Sequence, residues 1–241
     1  MRNAFFSPAV AAALLLSAPS AAQDTSRLDS QAKAYGDLAD RVVDHWAGRE
    51  PEGEPSIDLP ELRVSEQYAN SVSEAERALM QRRLEAITAF LLAQPSLQNS
   101  DIQVTPRWMS LYRLNMNDGA YLTMGVTYEF QLAGDIATVS VTTSPVKGMP
   151  GEWRTVGRTA GGCRREQKAK GSGTGGEVYR IGTVGGAKGT AIKAVEIEGG
   201  GGLNINPRLD VDSQAESIVG RVVAAVQTLD CNKLLALANG Q

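Results

Sequence analysis

The sequence has 241 residues, of which 24 are Lys or Arg, 27 are Asp or Glu, one is His and two are Cys. A hydrophobic fraction of 42% and a mean hydropathy of −0.20 are typical of a soluble globular protein and exclude a disordered chain. An isoelectric point of about 5.4 gives no overall electrostatic basis for a nucleic-acid partner. One His and two Cys are too few for a zinc finger, a four-cysteine cluster or a three-histidine metal site, so we predict no metal and no cofactor.

Residues 1–22 have the pattern of a secretory signal peptide. Arg2 is followed by an apolar stretch from Pro8 to Leu16, and Ser20 and Ala22 are the small residues of a cleavage site. A membrane anchor is the alternative, but this stretch spans less than half of a bilayer core of about 30 Å. We therefore expect a soluble protein, periplasmic or secreted, with no stable membrane insertion.

Export would place Cys163 and Cys231 where disulfides form, and no other cysteine is available to either. We predict a single disulfide that ties the glycine-rich part of the chain to its C-terminal helix. Two alternatives stay open from the sequence. Cys163 could be a reactive thiol, since Arg164 and Arg165 follow it, or both thiols could be buried and unrelated.

Residues 23–62 are predicted to form an N-terminal unit. From Arg27 to Trp46 apolar residues recur every three or four positions, which predicts an amphipathic helix ended by Gly48. Residues 49–60 contain three prolines and several acids, as an extended acidic linker does. Residues 24–62 carry ten acidic and four basic residues, a net charge of −6.

Residues 63–241 are predicted to form one α+β domain. Ser73 and Glu76 make a capping box for a second helix that runs to Gln94, while residues 62–72 suit either helix or strand. From Ile102 onward apolar residues alternate with polar ones. With turns at Asn117–Gly119 and Ala133–Asp135, this pattern predicts three antiparallel strands in a meander.

The region 148–202 is rich in glycine, with 17 of the 25 glycines of the chain. Glycine pairs and runs separate strand-like segments at 177–184 and 190–198, and a third alternating segment follows at 203–211. Ser213 and Glu216 resemble a capping box, which predicts one long C-terminal helix, and Asp230 or Asn232 could cap a separate last turn.

The predicted fold is therefore α+β, with about seven mostly antiparallel strands over residues ~102–211, two N-terminal helices and one long C-terminal helix. This element order resembles that of helix-grip folds, in which a curved sheet holds a long helix and encloses an apolar cavity. The resemblance rests on element order alone and implies no activity.

Short motifs give little support for catalysis. The GxGxxG match at 171–176 lacks the strand and helix of a dinucleotide site, and the SxxK match at Ser30–Lys33 lacks its companion motifs. His45 is the only histidine, and we expect it to be solvated on the polar face of its helix. Asp210 and Asp212 could bind a cation, but an acidic helix N-terminus explains them more simply.

Positive charge is concentrated in residues 147–193, which carry ten basic and three acidic residues. A site for an anionic partner is one interpretation, and a solvated face is the other. The candidate residues for the site are Arg158, Arg164, Arg165, Lys168 and Lys170.

These observations favour an exported, non-catalytic binding or interaction protein of the cell envelope. Its partner would be an anionic envelope component or an apolar small molecule; the sequence sets no oligomeric state. The alternative is an exported hydrolase whose catalytic carboxylates, or a cysteine with His45, converge only in three dimensions.

Overall fold

The computed structural model describes residues 21–64, 71–116, 119–144, 153–168, 178–183, 189–199 and 210–241. Within them the fold is α+β, as predicted. Its helices are α1 (Ala21–Trp46), α2 (Glu74–Leu92), α3 (Val211–Glu216), α4 (Ile218–Thr228) and α5 (Cys231–Ala238), and a 3-10 turn follows α2 at Pro95–Leu97. In this part of the chain, no helix is long and apolar enough to cross a membrane. Residues 1–20 of the predicted signal peptide, the GxGxxG match, Lys170 and residues 203–209 lie outside the described stretches.

One mixed sheet contains all the described strands. They are β1 (Ser56–Ile57), β2 (Gln103–Met116), β3 (Gly119–Leu132), β4 (Asp135–Thr143), β5 (Trp153–Arg158), β6 (Arg164–Lys168), β7 (Val178–Gly182) and β8 (Ala194–Gly199). Their order across the sheet is β1-β2-β3-β4-β8-β7-β6-β5. Only β1 and β2 are parallel, so two antiparallel meanders, β2–β4 and β5–β8, join where β4 pairs with β8.

The first meander confirms the prediction from the period-two pattern. Met116 pairs with Gly119 across the predicted hairpin, and Leu132 pairs with Asp135 across the next turn. One face of β3 is buried in the core, where Tyr128 hydrogen-bonds Thr88 of α2 at 2.6 Å. The opposite face differs from the expectation at its start, because Tyr121 and Thr123 are buried there as well.

The second meander contains two strands that the sequence pattern missed. β7 lies inside the predicted segment 177–184, and β8 overlaps the predicted segment 190–198 and ends one residue beyond it. β5 and β6 were not predicted, because β6 reads Arg-Arg-Glu-Gln-Lys and shows no apolar alternation. Its charged side chains are accommodated by ion pairs with neighbouring strands instead of by burial in an apolar core.

The predicted acidic linker lies along the edge of the sheet. Ser56 and Ile57 pair with Gln103 and Val104, and further along a bridge joins Val64 to Leu111. Leu62 is fully buried in the main core. Residues 49–64 therefore follow the outer edge of β2 and pair with it at the start of the strand and at Leu111.

The C-terminal part forms three short helices, which corrects the prediction of one long helix. Asp210 caps α3 through the amide of Ser213, and Ser217 breaks the helix and caps α4 through the amide of Gly220. Asp210 and Ser217 thus take the capping role that the sequence suggested for Ser213. Val211, predicted to end a strand, begins α3. The helix break brings Gly220 against the carbonyl of Gln214.

A disulfide joins Cys163 to Cys231, as predicted. It connects the turn between β5 and β6 to the start of α5, with 5.4 Å between the Cα atoms. Beside it, the amide of Gly161 donates to the carbonyl of Gln227, and the amide of Cys231 donates to the carbonyl of Gly161. A Cβ on Gly161 would lie 1.8 Å from the carbonyl oxygen of Leu229, so only glycine permits this approach.

Candidate functional site

The sheet face opposite the helices carries a regular array of hydroxyl side chains around one exposed tryptophan. The strand register places nine positions of β2, β3 and β4 in three adjacent rows. We call this array the Trp108 face; its positions are Thr105, Trp108, Ser110, Gly125, Thr127, Glu129, Thr138, Ser140 and Thr142. Six of the nine are Ser or Thr, and none is aliphatic.

Trp108 is the most exposed large hydrophobic residue of the described chain, with 77% of its surface accessible. Tryptophan is highly buried on average, so an indole in this position is unusual. The register of β2 shifts between Pro106 and Trp108, with Arg107 as the additional residue. Such a bulge redirects the side chains that follow it, and here it places Trp108 on the hydroxyl-bearing face.

Two pairs of polar side chains lie beside Trp108. The hydroxyls of Thr127 and Ser140 are 2.8 Å apart. Arg107 donates two hydrogen bonds to the carboxylate of Glu129, at 3.0 and 2.6 Å. The guanidinium hydrogen bond holds the pKa of Glu129 below its usual value, so that the pair stays ionised and adds no net charge to the face.

Beyond β4 the same sheet face changes from hydroxyl groups to charged pairs. Glu196 of β8 follows Thr142 in register, and Arg180 of β7 and Arg164 of β6 continue the row. Arg180 forms ion pairs with both Glu166 and Glu196, and its side chain is 11% exposed. The opposite charges here are mutually neutralised.

The structure does not gather the predicted anion-binding residues on one surface. Arg164 pairs with Glu166 at 3.1 Å and donates to the carbonyl of Gly182. Arg165, the next residue on the strand, points to the opposite face, where its guanidinium contacts Gly36 of α1. Arg158 donates to the carbonyl of Gly162 at the β5–β6 turn. Lys168 ends β6, and Lys170 lies outside the described residues.

His45 is not the solvated residue expected from the sequence. Its side chain is only 9% exposed, with Nδ1 3.0 Å from Asp212 and Nε2 2.9 Å from Glu216. Burial opposes ionisation of Glu216, but hydrogen bonds from His45 and Arg49 outweigh it and leave the pKa of Glu216 lowered. Both ring nitrogens of His45 are therefore used to hold α1 against α3.

The disulfide overturns the cysteine form of the hydrolase hypothesis, since neither sulfur is a free thiol. The carboxylate form stays a prediction. Asp210 caps helix α3, which was the alternative to a cation site. The hydrogen bond from the amide of Ser213 lowers the pKa of this carboxyl. Within the described stretches, no three His, Cys, Asp or Glu residues are placed to hold a metal ion.

No protein-family model, curated protein or solved structure matches the chain. The site must therefore be interpreted from its own chemistry. Trp108 was not among the predicted site residues, because it lies in a stretch whose alternating pattern indicates only a strand. The signal that could have found it is Pro106, since a proline within an alternating run suggests an edge or a bulge.

Proposed function

We propose that the protein is an exported, non-catalytic interaction protein of the cell envelope, and that its partner binds the Trp108 face. The single observation that carries the proposal is the 77% exposure of Trp108, which follows the bulge of β2 on the hydroxyl-bearing face of the sheet. Exposed tryptophans are among the residues that contribute most to binding when a partner covers them.

Among the described residues, the indole of Trp108 is not part of the hydrophobic core. The buried side of the sheet is filled by other residues, such as Tyr128 and Phe130. A solvent-facing indole costs solubility and adds little to stability, so a contact surface is its simplest explanation. The predicted leader at 1–22 and the disulfide both support a location outside the cytoplasm.

The Trp108 face is better supported as the contact than the basic residues are. Arg164 and Arg165 lie on opposite faces of β6, and Arg180 is already paired with two acids. An anionic partner would have to displace these internal pairs. The helix-grip resemblance also gains no specific support, because three short helices stand in place of one long one.

Sedimentation with a crude envelope fraction tests this function. Envelopes are prepared from the organism that produces the protein. They are mixed with the mature protein, with its Trp108→Ala variant or with an Ile136→Ala control. Ile136 is 50% exposed and lies on the same sheet face, outside the nine positions. We expect Trp108→Ala to weaken binding by about tenfold or more and Ile136→Ala to leave it unchanged. Absence of wild-type binding, or equal binding by all three proteins, would overturn the proposal.

A further inference from the structure

We propose that the partner of the Trp108 face is a neutral glycan chain, one of whose sugar rings stacks on Trp108. This inference rests on the proposed function and specifies its partner. It is carried by the composition of the face, which combines one exposed indole with six Ser and Thr residues and no aliphatic side chain.

The two surfaces of a sugar match these two kinds of side chain. A pyranose ring has an apolar side of C–H groups, which fits the flat indole of Trp108. Its rim carries hydroxyls, which both donate and accept hydrogen bonds, and Ser and Thr hydroxyls can do the same. Thr127 and Ser140 lie in the same row as Trp108, so their hydroxyls lie beside a ring stacked on it.

The composition disfavours partners with other chemistry. A lipid tail or an apolar peptide needs a continuous hydrophobic patch, whereas the nearest neighbours of Trp108 in register are Thr127 and Ser140. An anionic polymer needs unpaired positive charge, but Arg107 is bonded twice to Glu129. The face therefore has no net charge, which matches a neutral polyhydroxyl ligand.

The dimensions of the face suit an extended chain. Three neighbouring strands span about 10 Å, and three alternate residues along a strand span about 14 Å. This area is large enough for more than one sugar ring. Gly125 leaves one position without a side chain, next to Ser110 and Thr142. The face is consequently low at this point, and a neighbouring ring can lie close to the sheet.

Sedimentation with a purified glycan tests the inference. The probe is insoluble envelope glycan stripped of protein by protease and of lipid by detergent, and vesicles of neutral and of anionic lipid are run in parallel. We expect the wild-type protein to bind the stripped glycan and to bind neither vesicle. Binding should change less than twofold between low and high salt, because the face has no net charge.

Variants connect that binding to the proposed contacts. Trp108→Ala should weaken glycan binding tenfold or more, and Trp108→Phe should restore part of it because an aromatic plane remains. The double variant Thr127→Ala/Ser140→Ala should weaken it severalfold, and Ile136→Ala should have no effect. A urea unfolding midpoint equal to that of the wild type shows that each variant is folded.

The outcomes separate this inference from the function on which it rests. Trp108-dependent binding to crude envelopes without binding to stripped glycan would overturn the proposal of a glycan partner. The proposed interaction function would not be affected by this result. Absence of binding to either would overturn both. If the protein binds anionic vesicles and high salt abolishes that binding, the proposal of a glycan partner is overturned and the contact is assigned to the basic residues.

Discussion

Arg221 of α4 lies over the indole of Trp46 of α1, with 4.2 Å between the guanidinium carbon and the ring centroid. The same arginine forms ion pairs with Glu52 at 2.9 Å and with Glu216 at 3.0 Å. It also donates to the carbonyl of Ser96 in the 3-10 turn. One buried side chain thereby connects α1, the edge segment, α3 and the turn after α2.

Replacing Arg221 by Ala should lower the free energy of unfolding by about 2–3 kcal/mol. Removing a fully buried ionic partner costs about 3–5 kcal/mol, and here the loss is smaller because Glu52 and Glu216 remain partly in water. Arg221→Lys should recover only part of it, because lysine lacks the planar guanidinium. Urea denaturation measures the change, with exposed Arg82→Ala as the control. A lysine variant as stable as the wild type would contradict the prediction.

Two helix glycines should respond oppositely to alanine. At Gly220, a Cβ would lie 2.0 Å from the carbonyl oxygen of Gln214, so Gly220→Ala should lower the free energy of unfolding by about 1–3 kcal/mol. At Gly36, the nearest atoms belong to the flexible end of the Arg165 side chain, which can move away. The higher helix propensity of alanine should therefore raise the free energy of unfolding by up to about 1 kcal/mol. Urea denaturation of both variants compares the signs. Stabilisation by both changes would disprove the close approach at Gly220.

The disulfide should contribute substantially to stability, because its cysteines are separated by 68 residues. The chain-entropy argument gives about 4 kcal/mol for a loop of this length. The double variant Cys163→Ser/Cys231→Ser should therefore unfold at a lower urea concentration. Reductant should lower the stability of the wild type towards that of the variant and leave the variant unchanged. A wild type insensitive to reductant in the unfolding transition would contradict the prediction.

Glu76 should make stability depend on pH on the acid side. The amide of Ser73 and then the guanidinium of Arg113 hold the pKa of this carboxyl below its ordinary value of 4.5. Its contribution is therefore complete above about pH 4.5 and is lost as the pH falls through the lowered value.

Substitution of Glu76 by Gln tests this dependence. It should cost about 1 kcal/mol at pH 7 through loss of the charged cap. The difference from the wild type should vanish below the lowered pKa. Free energies of unfolding measured from pH 7 to pH 2 give the difference at pH 7 and the pH at which it disappears. The control is Glu74→Gln, because Glu74 is exposed in the same helical turn. A difference that persists at pH 2 would refute the assignment.

Local signals in the sequence were sufficient for part of the fold. The alternation of β3 and the turn residues around Gly119 predicted the first meander, and Ser73 with Glu76 predicted the start of α2. These elements are determined by residues close together in the chain. The lone cysteine pair similarly left one disulfide to predict.

The remaining features depend on partners distant in sequence. The charged sequence of β6 can form a strand because Arg180 of β7 pairs with its Glu166. The side chain of His45 is largely covered because folding brings Asp212 and Glu216 to it. The exposure of Trp108 follows from a bulge that shifts the register of β2. Amphipathic periodicity carries none of this information.

The position of β8 in the sheet also constrains the order in which the chain can fold. β5, β6 and β7 are made before β8, but the described sheet connects them to β4 only through it. β5, β6 and β7 can pair with one another, but they cannot join the first half of the sheet until Ala194–Gly199 has emerged. Such late, long-range closure slows folding, so the complete eight-stranded sheet forms only after most of the chain is available.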